Sequence, residues 1–79
     1  MTTVMWEAVA APGRAGEVVA WATAWRAPGV IAQEVYASGE RIVIVAHFAD
    51  PAGAEGATFA PPPGALARDG HAWTFERVG

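Results

Sequence analysis

Between Thr3 and Ala10 hydrophobic and polar positions alternate. Val4, Trp6 and Ala8 stand against Met5, Glu7 and Val9, so one face is wholly apolar and the other carries a carboxylate. A period of two is the signature of a β-strand. Pro12-Gly13 ends it, because proline lacks a ladder donor and glycine frees the backbone. From Arg14 to Arg26 the period lengthens: Val18, Trp21, Ala22 and Trp25 fall at i, i+3, i+4 and i+7 and predict one face of a helix. Glu17 in its first turn and Arg26 in its last both suit the helix dipole. No Ser, Thr, Asp or Asn precedes it as an N-cap. Pro28 stops it, with Ala27 biased out of helical angles.

Val30–Ala37 and Arg41–Ala49 are β-rich runs joined at Ser38-Gly39-Glu40, which predicts a hairpin. A two-residue and a three-residue loop fit equally well. A one-residue slip sends every side chain to the other face, so the pattern leaves open which face carries Glu34 and His47. Residues 51–70 are rich in proline and glycine and show no helical period, which predicts a long covering or functional loop. Within it Ala65 to Arg68 have room for one helical turn, and Phe59 and Leu66 are the expected anchors. Pro61-Pro62-Pro63 reads as a stiff, extended crossing of the sheet edge. His71–Val78 is a fourth strand, with His71, Trp73, Phe75 and Arg77 pointing one way and Ala72, Thr74, Glu76 and Val78 the other.

The order β, α, β, β, loop, β defines an α+β domain spanning residues 1–79. Strand three returns by the hairpin to lie between strands one and two, and strand four pairs with the free edge of strand one. The expected product is a four-stranded antiparallel sheet in the order 4-1-3-2, a ferredoxin-like layout whose second helix is missing. Trp21 and Trp25 can bury against one sheet face, and one helix leaves the other face uncovered. Each large apolar side chain left in water forgoes roughly 1.5–3 kcal/mol, a sizeable share of the ~5–15 kcal/mol that holds a domain together. A second copy is the simplest cover, so a homodimer is expected, with Trp73 and Phe75 as its leading anchors.

Composition trims the partners. The chain is 53% hydrophobic and 16% charged, neither disordered nor membrane-spanning in character. It has no cysteine, which removes disulfides and thiolate metal sites. Net charge is −3, and Arg14, Arg26, Arg41, Arg68 and Arg77 are scattered singly. A nucleic-acid binder needs a clustered basic face to neutralise phosphates, so nucleic acid is not an expected partner. The apolar run Ile42 to Ala46 is far too short for a membrane span. Ala8-Val9-Ala10 looks like a signal-cleavage site, yet no basic residue precedes it and Glu7 interrupts the apolar stretch. A cytoplasmic protein is expected. Lysine is absent and alanine supplies about a quarter of the chain, a usage typical of GC-rich bacterial genomes.

Ala11-Pro12-Gly13-Arg14 opening a helix after the first strand, then Glu34-Val35-Tyr36 in a hairpin running into Arg41–Asp50, resembles the antibiotic-biosynthesis-monooxygenase-like branch of the dimeric α/β-barrel superfamily. The resemblance covers roughly residues 3–50 and its motifs are loose. It implies two ferredoxin-like sheets paired face to face, with a small-molecule cleft between sheet and helices. Beyond Asp50 the chain departs from the family, placing a Pro/Gly loop where members carry a second helix that walls the pocket. Fold alone does not choose among the family's oxygenases, haem-degrading enzymes and proteins of unassigned role.

Glu7, Glu34 and His47 are the polar residues that interrupt apolar strands. A carboxylate and an imidazole facing one cleft can serve as base and orienting acid; the plainer reading places each at a strand end or rim. Trp6, Tyr36, Trp73 and Phe75 suit either a flat hydrophobic ligand or a dimer interface. Two histidines without cysteine match no known metal or haem spacing, and His71 reads as a solvated strand end. Ser38 has no nucleophile-elbow context. Gly13-Arg14-Ala15-Gly16 has neither P-loop nor dinucleotide spacing, so no cofactor is expected. Three functions follow: a homodimeric binding or accessory module for a small hydrophobic ligand, a cofactor-independent monooxygenase-like enzyme on an aromatic substrate, or a purely structural dimerisation unit.

Overall fold

The computed structural model describes all of residues 1–79. The elements are β1 (Thr2–Val9), α1 (Ala15–Ala24), β2 (Val30–Ser38), β3 (Arg41–Phe48), α2 (Pro51–Glu55) and β4 (His71–Glu76). The strands form one antiparallel sheet in the order β2-β3-β1-β4, the expected order read from the other edge. No helix is long and apolar enough to cross a membrane.

The hairpin closes on two residues, Gly39 and Glu40, with Ser38 opposite Arg41. Gly39 has φ 61° and no non-glycine residue has positive φ. Glycine first with positive φ is the type II′ pattern, whose twist matches that of the flanking strands. That turn settles the register: Glu34 stands opposite Val45, Tyr36 opposite Val43 and Ala32 opposite His47.

The core lies between α1 and one face of the sheet. Val4, Trp6 and Ala8 of β1 and Ile42, Ile44, Ala46 and Phe48 of β3 meet Val18 and Ala22 of α1. The alternation of buried and half-buried positions along β1 and β3 is the period-two pattern carried into three dimensions. Trp6 is held edge-on by Trp21 at 5.2 Å between ring centroids, and Phe59 stacks on both Trp6 (5.6 Å) and Trp25 (4.6 Å).

Helix α1 is shorter than its hydrophobic period suggests. It ends at Ala24, and Trp25, at ψ 137°, is already extended, so its ring reaches Phe59 and its Nε1 donates to the Thr58 carbonyl at 3.0 Å. Arg26 therefore lies beyond the helix rather than in its last turn. Its Nη1 donates to the Thr23 and Trp25 carbonyls, meeting acceptors that a helix end leaves open. The weak start is as expected: Arg14 occupies the N-cap and makes no side-chain cap bond.

Two corrections concern residues 51–70. The segment does contain a second helix, the short α2, so the sheet is served by two helices rather than one. Asp50 Oδ1 accepts from the Ala52 N–H at 2.9 Å with Pro51 at the first helical position, a start that local chemistry dictates and periodicity cannot reveal over five residues. No helical turn forms over Ala65–Arg68; Ala65 to Ala67 instead run alongside the end of β1. Leu66 bridges Ala10, Ala11 N–H donates to the Ala65 carbonyl at 2.8 Å, and Ala67 N–H donates to the Val9 carbonyl at 2.9 Å. The end of β1 has free backbone groups that reward an extended partner. Phe59 and Leu66 both pack on the core, as anchors should.

Where the loop rejoins the sheet, Gly70 lies directly on Trp6. A Cβ at this position would stand 2.6 Å from the indole Nε1 and 2.7 Å from Cε2. Because Trp21 and Phe59 hold that indole from other sides, it has nowhere to retreat. Gly70→Ala should therefore cost about 1–3 kcal/mol of overpacking, read as a drop of several degrees in melting temperature. An unchanged melting temperature would show that Trp6 is not held as described.

Candidate functional site

The face of the sheet turned away from the helices carries the candidate site. The register lays it out in rows across β2, β3, β1 and β4: Ala32, His47, Thr3, Phe75; then Glu34, Val45, Met5, Trp73; then Tyr36, Val43, Glu7, His71. The middle row and its neighbours make a mostly apolar band of Tyr36, Val43, Val45, Met5, Trp73 and Phe75. Trp73, Phe75 and Tyr36 are 46%, 51% and 57% exposed, an unusual state for such side chains in so small a molecule. No element of the chain covers this face.

One hydrogen-bonded chain crosses it. His47 Nδ1 lies 3.1 Å from Thr3 Oγ1, and its Nε2 lies 3.1 and 3.2 Å from the two Glu34 oxygens. Thr3 faces His47 directly across the β1–β3 ladder, and Glu34 meets it diagonally from β2, within the reach of long cross-strand side chains. With Nε2 carrying the hydrogen, the imidazole donates to Glu34 and its Nδ1 accepts a hydrogen bond from the Thr3 hydroxyl. His47 is half-buried and Glu34 more exposed. The ring is thereby fixed in orientation on an otherwise apolar floor.

Of the residues singled out by sequence, the structure brings Glu34 and His47 into contact. It places Glu7, Tyr36, Trp73 and Phe75 on the same face. Glu7 is taken up by Arg41 at 3.5 Å, on the side away from His47. Trp6 is apart from all of them. It is 4% exposed, on the helix side, inside the aromatic stack with Trp21 and Phe59. Alternation along β1 already separates Trp6 from Glu7, so this division was readable.

Thr3 and Met5 are the site residues that sequence reasoning passed over. Their signal was the same alternation, but the value of Thr3 depends on His47, and the placing of His47 depends on the hairpin turn. His71 stays at the exposed start of β4, its ring 6.1 Å from that of Trp73. No group of three or more His, Asp or Glu side chains converges anywhere in the chain.

The one concavity is elsewhere. An open pocket of about 220 Å³ lies at the β2 edge, lined by Arg26, Val30, Ile31, Ala32 and Gln33, where β2 bulges between Val30 and Ala32. Gln33 Nε2 reaches the Ala22 carbonyl at 3.4 Å, and its Oε1 is buried without a partner. None of the seven candidate residues lines this pocket. No family model matches the chain, and no curated protein or solved structure was found to be similar to it.

Proposed function

We propose that this chain is a binding or accessory module that works as a homodimer, two ferredoxin-like sheets packing through their uncovered faces. The observation that supports it is the face itself: Met5, Val43, Val45, Tyr36, Trp73 and Phe75 together, with nothing from the chain above them. Four strands at ~4.8 Å spacing and ~3.3 Å per residue span roughly 500 Å² in projection. The corrugated accessible surface is larger, near the ~800 Å² per partner of a standard stable interface. The apolar centre and the polar rim of Arg41, Glu7, His47 and Glu34 follow the usual anatomy of such contacts. The small-ligand role belongs to the space between the sheets, where an apolar or aromatic molecule would meet Trp73 and Phe75 with the oriented His47 beside it.

The Glu34–His47–Thr3 chain is what favours an enzyme as the second reading, since a carboxylate–imidazole–hydroxyl order can move a proton. Binding is preferred because the backbone donors of a paired strand lie in the sheet plane and are used by the ladder, so they do not gather above the Thr3 hydroxyl to hold a developing oxyanion.

Titration with phenols and naphthols, followed by tryptophan emission, tests the ligand role. A saturable change is expected for the wild type and is expected to vanish in Trp73→Phe, because Trp6 and Trp25 are buried on the far side and Trp21 packs there against Trp6. A response that persists in Trp73→Phe, or no saturable response at all, would count against a ligand on this face.

A further inference from the structure

We infer that the free edge of β4 is a second self-association surface, pairing antiparallel with β4 of another copy to make one continuous eight-stranded sheet. Arg77 N–H donates to the Met1 carbonyl at 3.2 Å, in line with the β1–β4 register. Antiparallel ladders alternate, so the odd-numbered residues of β4 bond to β1, and Ala72, Thr74 and Glu76 turn their N–H and C=O groups outward. All six residues of β4 are exposed, on both faces.

Sheet edges are ordinarily blunted by a bulge, a proline, a lysine or a covering loop. The β2 edge has its bulge between Val30 and Ala32. The β4 edge has none of these: HAWTFE contains no proline or lysine, and its pairing with β1 is regular from Glu76 to His71. An edge left open beside Trp73 and Phe75 is a template for another strand.

The sequence of the edge suits its own copy. A two-fold axis through Thr74 sets Thr74 against Thr74 of the second copy and Ala72 against Glu76. Trp73 then meets Phe75 twice over, an aromatic cross-strand pair of the favourable kind. No like-charged carboxylates meet. The cationic Arg77 falls opposite His71 only at the outermost ends, where its Nε is already turned to the Gly79 carbonyl. Gly70, fixed on Trp6, stays outside the joint. The inference does not depend on face-to-face pairing. If both occur, the edge joint makes two open faces coplanar, and face packing then gives a tetramer of two-fold symmetries.

Because the chain has no cysteine, single cysteines report the joint cleanly. Thr74 belongs to the helix-side face, so sheet-to-sheet packing keeps the two Thr74 residues apart, whereas edge pairing brings their Cα atoms to about 5.5 Å, inside the range a disulfide spans. Thr74→Cys under mild oxidation is expected to run as a covalent dimer at twice 8.2 kDa, while Ala72→Cys, offset along the joint, stays monomeric. Thr74→Pro removes only an outward N–H, which an edge tolerates. It is expected to keep the wild-type circular dichroism and lose the edge-paired species. Failure of Thr74→Cys to cross-link, or equal cross-linking by Ala72→Cys, overturns the edge joint. Cross-linking at Thr74 in a chain that stays dimeric after its open face is disrupted would uphold the edge and remove the face pairing.

Discussion

Phe48→Ala leaves this domain largely unfolded near body temperature. Phe48 is completely buried at the end of β3, beneath Gly53 of α2 and beside Gly29 at the entry to β2. Its removal opens a cavity that neither glycine can fill, and truncations of this kind cost about 3–5 kcal/mol. At ~0.05–0.15 kcal/mol per residue, the whole molecule has only roughly 4–12 kcal/mol to lose. A fall of about 15 °C or more in melting temperature is expected, since each kcal/mol moves a domain of this size by about 4–8 °C. The check is a thermal melt by far-ultraviolet circular dichroism with Phe75→Ala as comparison. Phe75 packs under no element of its own chain, so at concentrations low enough to keep the chain monomeric its loss should move the melt far less. Equal losses from both would mean that the core is not where the burial places it.

The second large effect concerns assembly. Val45 sits mid-face, with Glu34 on one side in β2 and Met5 on the other in β1. Arginine there can reach Glu34 in the free chain, so folding should survive. In a sheet-to-sheet dimer the same guanidinium would be carried into an apolar contact, where the effective cost of desolvating an ion is several kcal/mol. Val45→Arg should therefore weaken face pairing by at least about 100-fold, since every 1.4 kcal/mol is a factor of ten. An unchanged association constant, measured by sedimentation equilibrium, would show that this face is not the contact.

Much of the architecture was readable because it rests on periodicity. The alternation in TVMWEAVA, the β-rich run RIVIVAHFA, and the helical spacing of Val18, Trp21, Ala22 and Trp25 give the strands, the helix and the strand order. What stayed hidden rests on single residues. The sign of φ at Gly39 decides a two-residue turn, and with it whether His47 shares a face with Glu34 and Tyr36. The five residues of α2 are too few to show a period; Asp50-Pro51 was its only signal, and the same pair also reads as a strand terminator. Trp25 leaves the helix three residues before Pro28 and stacks on Phe59, a tertiary contact invisible to local spacing. The candidate site was legible as residue types and not as an arrangement. His47 and Glu34 stood out as polar interruptions, but Thr3, which holds the other ring nitrogen, looked like an ordinary strand start.

The central claim is that the uncovered sheet face is occupied by another copy of the chain. It is tested most directly by light-scattering mass at micromolar concentration, with the wild type and Val45→Arg measured side by side. The account predicts a wild-type mass of at least twice 8.2 kDa and a clear fall in mass on Val45→Arg at unchanged circular dichroism. A wild type at 8.2 kDa, or an assembly indifferent to Val45→Arg, would contradict it.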